Sequence, residues 1–292
     1  MSKILLIGGC GYIGSALYEH LKSTHIIDTV DLEWFGNFVN PSNMKMDFDE
    51  LTQEQLDEYD VIVFTAANSS ANLCKNVADA FDNNVIKFVR LVEKLKKQKF
   101  IYASSSCVYT NSNSIPRIET DYTYSCDGLT LTKITIDNYM LLSNVEFYGL
   151  RFGSVNGWSL NTRLDLIINA MTLSALHNKN VVVYNEHAYR PIVSIRDMCR
   201  AVTAIIQSDK TARGIYNIVS FNENIGQIGK RIAEYMNVPL INKGITGTYD
   251  FSISSEKFVD MYQFEFNDSI EDIVTSIINN PYNNNWSLRN EK

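Results

Sequence analysis

The fold is decided by residues 3–14, which read KILLIGGCGYIG. A short apolar run ends in three glycines at a spacing of three, Gly8, Gly11 and Gly14, and a helix-forming segment follows them. We interpret this order as a buried parallel strand, a tight turn and a helix whose N-terminus faces the turn. Backbone N–H groups and the helix dipole favour an anion there. The pattern therefore predicts a dinucleotide site, and an ordinary glycine-rich turn between strand and helix is the alternative.

The glycines and a later carboxylate predict how the dinucleotide binds. Gly8 allows the turn, Gly11 lets a pyrophosphate approach the backbone, and Gly14 lets helix and strand pack closely. A second apolar run, residues 25–30, ends in Asp31, about 20 residues beyond the glycines. A carboxylate at this point accepts hydrogen bonds from both ribose hydroxyls and repels a 2′-phosphate, so the sequence favours NAD over NADP. A loop-capping role is the alternative for Asp31.

The composition excludes several classes of protein. The 292 residues carry a net charge of −7, which opposes a general attraction to nucleic acid or anionic membranes. No apolar run approaches the roughly 18–20 residues that span a bilayer, and the N-terminal run lacks a signal-peptide layout. Five scattered cysteines without a CxxC pair favour reduced thiols in the cytoplasm over disulfides or a zinc site. His177 and His187 have no spaced partner, so we expect no metal site.

Strands alternate with helices along the first half of the chain. Buried strands are predicted at residues 61–64, 100–103 and 146–150, and helices at residues 72–97 and 129–142. This order predicts an α/β protein with a Rossmann-type doubly wound parallel sheet. In such a sheet, ligands bind at the carboxyl ends of the strands.

We expect two domains. Residues 1–155 form the predicted NAD-binding Rossmann domain, and residues 156–292 form mainly a smaller C-terminal α/β domain for the substrate. Segments near 181–218 are expected to return to the Rossmann sheet. Small residues after the third strand, Ala66 and Ala67 among them, allow a cofactor to lie close to the backbone.

The ordered series of motifs resembles the extended short-chain dehydrogenase/reductase family, specifically its nucleotide-sugar epimerases and dehydratases. The likeness runs from residue 3 to residue 278 or so. It rests on the glycine turn, Asp31, Asp47-Phe48, Ala66-Ala67, Asn84, SSSCVY at 104–109, RFGSVNG at 151–157, and the segments 163–169 and 190–198. The resemblance implies a Rossmann domain with bound NAD, a nucleotide-sugar domain, and a homodimer formed through the helices at 72–97 and 129–142.

The resemblance also assigns residues to both ligands. The predicted NAD-binding residues are Gly8, Gly11, Tyr12, Ile13, Gly14, Asp31, Asp47, Phe48, Ala66, Ala67, Asn84 and Lys133. The predicted substrate-binding residues are Ser70, Ser105, Ser106, Asn156, Arg163 and Arg190. Three guanidinium groups suit a pyrophosphate, those of Arg151, Arg163 and Arg190, and we favour Arg190 because it precedes an apolar segment in a family motif. Surface solubility or internal ion pairing is the alternative for all three.

The chemistry of the family uses a tyrosine four residues before a lysine on one helix face. The lysine lowers the phenol pKa so that the tyrosine can exchange a proton with a sugar hydroxyl. In this chain the lysine matches Lys133, which the resemblance places at the nicotinamide ribose, but Leu129 stands at the tyrosine position. The predicted catalytic residues are Ser105, Lys133 and Tyr124. Tyr124 is included because its loop could fold into the site, although nine residues separate it from Lys133.

The sequence favours an NAD-dependent nucleotide-sugar epimerase or related oxidoreductase that acts by transient hydride transfer to bound NAD. A dehydratase is less similar, because Ser106-Cys107 replaces the Asp-Glu pair that follows the catalytic hydroxyl in that subgroup. Cys107 lacks a visible activating partner, which favours a small buried filler over a nucleophile. Two alternatives stay open: a catalytically impaired NAD- and sugar-nucleotide-binding or regulatory protein, because of Leu129, and an interaction role through the two long helices.

Overall fold

The computed structural model of the chain describes residues 1–109 and 115–280. The strands are β1 Lys3–Ile7, β2 Ile26–Val30, β3 Val61–Phe64, β4 Lys99–Ser105, β5 Pro116–Arg117, β6 Phe147–Phe152, β7 Ser154–Asn156, β8 Val181–Val183, β9 Tyr189–Ser194, β10 Gly214–Ile218, β11 Phe221–Asn224, β12 Leu240–Asn242 and β13 Ser252–Ile253. The α-helices are α1 Tyr12–Leu21, α2 Gln53–Leu56, α3 Val77–Phe81, α4 Lys87–Val92, α5 Gly128–Leu142, α6 Ile167–Asn178, α7 Ile195–Gln207, α8 Ile225–Met236, α9 Glu256–Tyr262 and α10 Ile270–Ile278.

Six strands form one parallel sheet in the order β10-β6-β4-β3-β1-β2. From β1 the chain first adds β2 on one side and then β3, β4 and β6 on the other side. The strand order therefore reverses beside β1, and a crevice opens there at the carboxyl ends of the strands. The predicted Rossmann-type doubly wound sheet is confirmed.

Alternate side chains of β1 enter two separate apolar cores. Ile4 and Leu6 pack on the face covered by α1 and α7, whereas Leu5 and Ile7 pack on the face covered by α4 and α5. All four side chains are at most 1% exposed, and burial of each stabilises the fold by about 1.5–3 kcal/mol. A strand buried on both faces must be apolar at every position, which explains the continuous apolar run.

The long helix of the first half is shorter than the sequence predicts and is not regular. It spans residues 77–92 instead of 72–97, because the side chain of Asn76 caps its N-terminus. Residues 82–86 form a π-helical turn between α3 and α4. The extra residue in such a turn changes which side chains face the sheet, and it places Asn84 in the buried layer.

Three small sheets lie beside the main one, in the orders β11-β9-β7, β12-β8 and β13-β5. Helices α6, α8 and α10 enclose a third apolar core next to them. Of the segments expected to return to the main sheet, β10 does so, whereas β8 and β9 belong to the small sheets. The domain boundary at residue 155 stays a prediction, and residues 281–292 lie outside the described residues. Within the ranges that the structure covers, no helix has the length and apolarity needed to cross a bilayer.

Candidate active site

One cavity of about 660 Å³ runs along the carboxyl ends of the main-sheet strands. It begins at the glycine turn after β1, passes the segments that follow β2, β3 and β4, and ends between the first turn of α5, Arg190 and Tyr249. A doubly wound sheet binds its ligands in this position, and the volume suits small molecules. The predicted site residues can therefore be sorted by whether they line this cavity.

The glycine turn has the geometry that its sequence predicts. Gly8 has a φ of +86°, a left-handed conformation that disfavours other residues. Gly14 packs so closely on the turn that an added Cβ would lie 2.0 Å from the Gly8 carbonyl oxygen. Helix α1 begins directly after Gly11 without a side-chain cap, and Tyr12 and Ile13 line the cavity. A helix N-terminus with this close, side-chain-free approach fits the pyrophosphate of a dinucleotide.

Asp31 lines the cavity at the end of β2. Its Oδ2 accepts the Cys10 N–H at 3.0 Å, and its Oδ1 accepts the Glu33 N–H at 2.6 Å. The carboxylate thus ties the glycine turn to the end of β2 while it faces the cavity. Burial raises the pKa of Asp31, and these backbone hydrogen bonds oppose the rise. The loop-capping and ribose-binding interpretations are compatible, because each oxygen can accept more than one hydrogen bond.

The predicted adenine contact is only half present. Phe48 lines the cavity, but Asp47 does not. The Asp47 carboxylate accepts the Lys87 Nζ–H at 2.5 Å and the Asp49 N–H at 3.1 Å, because it caps the short 3₁₀ turn that begins at Phe48. Trp34 also lines this end of the cavity, and the sequence analysis did not single it out.

The segment after β3 carries small residues to the cavity wall, as predicted. Ala66, Ala67 and Ser70 line the cavity, whereas Asn84 does not. Asn84 is buried, its Oδ1 accepts the Asn68 N–H at 2.8 Å, and its Nδ2 donates to the Asn68 carbonyl oxygen at 3.1 Å. Asn84 therefore holds the backbone of this segment in place and does not contact the ligand space itself.

Ser105, Lys133 and Leu129 line the cavity together. Lys133 Nζ donates to the Ala103 carbonyl oxygen at 2.6 Å, and burial lowers the pKa of Lys133. Leu129 precedes Lys133 by one turn on the same face of α5. Position 129 therefore does face the ligand space, but leucine has no proton to exchange there.

The structure does not bring Tyr124 to the cavity, which corrects the expectation for this residue. Tyr124 is 56% exposed, and Tyr122 in the same loop is 83% exposed. The Tyr124 N–H donates to the Val108 carbonyl oxygen at 2.8 Å, which fixes the loop backbone against the turn after β4. This pairing leaves both tyrosines at the surface.

The serine-rich end of β4 forms part of the wall. Ser106 and Cys107 line the cavity, and burial raises the pKa of the Cys107 thiol to about 12. The thiol is therefore protonated at neutral pH, which agrees with a buried filler. Ser104, the first residue of the SSSCVY motif, also lines the cavity, and its buried Oγ has no hydrogen-bond partner among the described residues. An orphaned hydroxyl in the wall is a polar atom that a ligand can satisfy.

Two predicted polar candidates support the fold instead of the ligand space. Arg151 is buried, its Nε donates to Asp137 Oδ2 at 2.8 Å, and its guanidinium also donates to the Tyr109 hydroxyl at 2.5 Å. The internal ion pairing left open for this arginine is what the structure shows. Asn156 is also buried away from the cavity, and its Oδ1 accepts the Ile168 N–H at 2.9 Å at the start of α6.

The other two arginines line the cavity but differ in their partners. The Arg163 guanidinium donates two hydrogen bonds to the Asp165 carboxylate, from Nε to Oδ1 at 3.0 Å and from Nη2 to Oδ2 at 2.5 Å. Arg190 forms no ion pair with a carboxylate in the described part of the chain. Its guanidinium carbon lies 5.6 Å from the ring centre of Tyr249 and 5.8 Å from that of Phe251, and burial lowers its pKa. A partly buried guanidinium that lines the cavity and forms no ion pair with a described carboxylate can bind an anionic ligand, although the charge of Asp250 acts on it from nearby.

Tyr249 is a cavity residue that no sequence pattern indicates. It lies in the segment between β12 and β13, and its hydroxyl donates to the carboxylate of Asp127 at the start of α5. The two residues are 122 positions apart, so neither a motif nor a periodicity connects them.

The fold is similar to those of solved nucleotide-sugar enzymes. UDP-glucose-4-epimerase from Stenotrophomonas maltophila, with bound NAD and formylated UDP-arabinopyranose, is 15% identical, with a TM-score of 0.85 over 100% of this chain and 98% of that chain. A dTDP-glucose 4,6-dehydratase from Bacillus anthracis in complex with NAD is 20% identical, with a TM-score of 0.81 over 100% of this chain and 98% of that chain. At such low identity this likeness establishes the shared fold alone.

Sequence comparison identifies the family. An uncharacterized protein of Methanocaldococcus jannaschii is 23% identical over an alignment of 299 positions, which covers 88% of this chain and 90% of that protein. The sequence model of the NAD dependent epimerase/dehydratase family matches residues 4–219, well over half of the chain. The resemblance to nucleotide-sugar epimerases and dehydratases, and NAD as the cofactor, are thereby confirmed. This chain belongs to the NAD dependent epimerase/dehydratase family.

Proposed function

We propose that this protein is a nucleotide-sugar epimerase or related oxidoreductase that acts by transient hydride transfer to bound NAD. The observation that carries the proposal is the continuity of one cavity from the glycine turn to Arg190. A dinucleotide pyrophosphate at one end and a sugar-nucleotide pyrophosphate at the other would bring nicotinamide and sugar together. They would meet beside Ser105 and Lys133, where positioning alone can supply much of the rate enhancement.

The cofactor end of the cavity fits NAD. The glycine turn leaves space for the pyrophosphate, Asp31 can accept hydrogen bonds from the adenosine ribose, and Lys133 would hold the nicotinamide ribose, as the resemblance implies. NAD supplies an acceptor that takes up a hydride and returns it. The chain itself has to hold the sugar carbon against that acceptor, exclude water and accept the proton of the sugar hydroxyl.

The substrate end of the cavity fits a sugar nucleotide. Arg190 would bind the pyrophosphate, and the Tyr249 and Phe251 rings that contact its guanidinium would orient it. Arg163 is already neutralised by Asp165, so we assign it a weaker, supporting contact. The hydroxyls of Ser105 and Ser106, and that of Ser70 across the cavity, would bind the sugar.

The alternative function is a protein that binds NAD and a sugar nucleotide but no longer interconverts sugars, as in a regulatory relative. Leu129 supports it, because this apolar side chain lines the cavity at the position from which the family takes its proton-transfer group. Binding and chemistry are separable, because cofactor contacts come from residues other than those that move protons.

A substrate panel distinguishes the two functions. Purified protein with NAD is incubated with UDP-, GDP- and dTDP-hexoses, and the products are followed by NMR. We expect conversion of at least one sugar, and we expect Lys133→Ala to slow it by about 100-fold or more. Lys97→Ala, which removes an exposed lysine far from the cavity, is the matched control. Binding of a sugar nucleotide in calorimetry without any conversion would favour the impaired protein, and absence of binding would overturn both functions.

We further propose a homodimer formed through the helix at 77–92 and α5. Leu141 and Leu142 at the end of α5 are 53% and 88% exposed, and Val77 and Ile86 of the other helix are 44% and 38% exposed, so apolar side chains are available for a partner to cover. Sedimentation equilibrium is expected to give twice the chain mass of 33.2 kDa, and a mass of one chain would contradict the dimer. The cytoplasmic location stays a prediction.

A further inference from the structure

The cavity lacks a phenol at position 129, yet a different phenol reaches it from a distant part of the chain. Tyr249 lines the cavity, and its hydroxyl donates to the carboxylate of Asp127. We propose that Tyr249, hydrogen-bonded to Asp127, is the proton-transfer residue of this site. The inference rests on the proposed function and names the group that carries out the proton exchange in it.

Asp127 brings the phenol to the helix that carries Lys133. It is the N-cap residue of α5, and its Oδ1 accepts the Thr130 N–H at 2.8 Å while its other oxygen accepts the Tyr249 hydroxyl. The positive end of the helix dipole suits a carboxylate at this point. Leu129 and Tyr249 both line the cavity. The phenol of Tyr249 therefore contacts the start of α5, the helix from which the family's own phenol would project.

The ring of Tyr249 is held by the residue that would bind the substrate pyrophosphate. The Arg190 guanidinium carbon lies 5.6 Å from the ring centre, and Arg190 also donates to the Tyr249 carbonyl oxygen at 3.4 Å. The Phe251 ring centre lies 6.4 Å from that of Tyr249 at an interplanar angle of 72°, and the Arg190 guanidinium carbon lies 5.8 Å from the Phe251 ring centre, so the three side chains contact one another. A sugar attached to a pyrophosphate on Arg190 would therefore lie beside this phenol.

Ser105, Cys107, Lys133 and Tyr249 line the same end of the cavity as Arg190, which we call the reaction end. The Asp127 carboxylate acts electrostatically on the Tyr249 phenol. The Cys107 N–H donates to the Ser105 Oγ at 3.3 Å. Burial and the Asp127 carboxylate raise the pKa of Tyr249, so its phenol is protonated at neutral pH. Such a phenol works as a relay, with the carboxylate as the destination of the proton.

The step balances with NAD as the oxidant and needs no further reactant. The sugar hydroxyl passes its proton to Tyr249 Oη while the phenol proton moves to Asp127 Oδ2, and the same sugar carbon loses a hydride to the nicotinamide. The alcohol thereby becomes a ketone, the proton rests on the Asp127 carboxyl, and the electron pair leaves with the hydride. In the return step the ketone carbon regains the hydride on its other face, and its oxygen regains a proton through Tyr249.

The test replaces Tyr249 and Asp127 in turn by a residue of similar shape that lacks the acid–base group. Tyr249→Phe keeps the ring that contacts Arg190 and Phe251, and Asp127→Asn keeps an N-cap residue for α5. With a sugar nucleotide that the native protein converts, we expect kcat to fall by about 100-fold or more in Tyr249→Phe and by about tenfold in Asp127→Asn, with KM and NAD affinity unchanged. Tyr235→Phe, which removes a phenol hydroxyl from α8, is the matched control and should keep the native kcat.

Three results would overturn the inference while the proposed function stands. They are a native kcat in Tyr249→Phe, a rise in KM without a fall in kcat, and a loss of activity in Tyr124→Phe that Tyr249→Phe does not share. If the native protein converts no sugar nucleotide at all, the proposed function fails first and the inference falls with it, so the two failures are distinguishable.

A second readout needs no turnover. Alkaline titration of tyrosinate absorbance in the native protein, minus that in Tyr249→Phe, isolates this phenol from the others. The groups that act on it are Asp127, Cys107 and Cys126, with Arg190 beside the ring. We expect a pKa above the usual range of tyrosine, and a lower pKa in Asp127→Asn. A phenol that titrates in the ordinary range in the native protein would show that the pair does not form and would overturn the inference.

Discussion

The two ends of the cavity are built in different ways. The cofactor end is built mainly from one continuous piece of chain, residues 3–31, which forms β1, the glycine turn, α1 and β2, and the segments that follow add Trp34, Phe48, Ala66 and Ala67 to its wall. The reaction end collects Ser105, Lys133, Arg190 and Tyr249 from four separate segments. A continuous motif is constrained by its own backbone, so its residues cannot be exchanged for others. An assembled site is constrained only by where side chains end, so a group lost at one position can be supplied from another.

The largest expected effect comes from breaking the buried ion pair beneath the reaction end. Asp137 lies one turn after Lys133 on α5, and it accepts hydrogen bonds from Arg151 at 2.8 Å and from the Tyr102 hydroxyl at 3.0 Å. The Asp137 and Arg151 side chains are 1% and 6% exposed. Asp137→Ala leaves a buried guanidinium without a carboxylate, so we expect urea denaturation to show a loss of about 3–5 kcal/mol in the free energy of unfolding.

The control for this prediction is an ion pair in water. Glu234 pairs with Lys230 at 3.9 Å on the exposed face of α8. Glu234→Ala should change the free energy of unfolding by less than about 1 kcal/mol. Equal losses of unfolding free energy in Asp137→Ala and Glu234→Ala would mean that the buried Asp137–Arg151 ion pair stabilises the fold no more than an exposed one.

At the cofactor end, adding a single methyl group to the glycine turn is expected to disrupt the structure. In Gly14→Ala the new Cβ would lie 2.0 Å from the Gly8 carbonyl oxygen, and the turn must move to admit it. We expect a loss of about 3 kcal/mol in the free energy of unfolding and a loss of NAD binding in calorimetry. Gly247→Ala is the matched control, because an added Cβ there meets nothing within 4 Å. A Gly14→Ala protein that binds NAD normally would show that the turn is not tightly constrained.

Affinity for the sugar nucleotide should depend on Arg190 and not on the cofactor end. Arg190→Ala removes the cavity guanidinium that has no carboxylate partner among the described residues, so we expect about 2 kcal/mol, or about 30-fold, weaker binding of UDP-sugars. Arg190→Lys should bind UDP-sugars with an affinity between those of the native protein and Arg190→Ala, because a lysine keeps the positive charge but not the two-pronged hydrogen-bonding geometry of a guanidinium. Arg213→Ala, an exposed arginine that donates to the Ser143 carbonyl oxygen, is the control. Equal loss of NAD affinity in Arg190→Ala would contradict the division of the cavity into two ends.

The same division explains what the sequence predicts and what it does not. The apolar run of β1, the glycine turn and Asp31 are neighbours in the chain, so local pattern and backbone geometry suffice to place them. Asp47 and Asn84 occupy motif positions, but their side chains turn to nearby backbone and to Lys87, because capping and helix geometry decide where a polar group points. A motif places a residue near a ligand without settling what its side chain binds.

At the reaction end, the sequence motifs indicate Ser105, Lys133 and Arg190, but they do not indicate which phenol enters the cavity. Tyr124 precedes Lys133 by nine residues and looks available in the sequence, yet one backbone hydrogen bond to the Val108 carbonyl oxygen keeps its loop outside the cavity. Tyr249 is 122 residues from Asp127, and their contact depends on how the segment before β13 packs against α5. Such contacts follow from tertiary packing and leave no periodicity or spacing in the chain.

The smallest expected effect is a dependence of NAD binding on pH at Asp31. Only the ionised form accepts hydrogen bonds at both oxygens, which binding two ribose hydroxyls requires, and burial raises the pKa of Asp31. NAD affinity should therefore be full above this raised pKa and fall as the pH drops through it, at a higher pH than an ordinary carboxyl would show. Asp31→Asn can still accept the Cys10 N–H, which preserves the turn, but we expect about tenfold weaker NAD binding at neutral pH and a flat pH profile in calorimetry. If the variant keeps the native pH dependence, another group controls the cofactor end, and Asp31 is reduced to a cap for its loop.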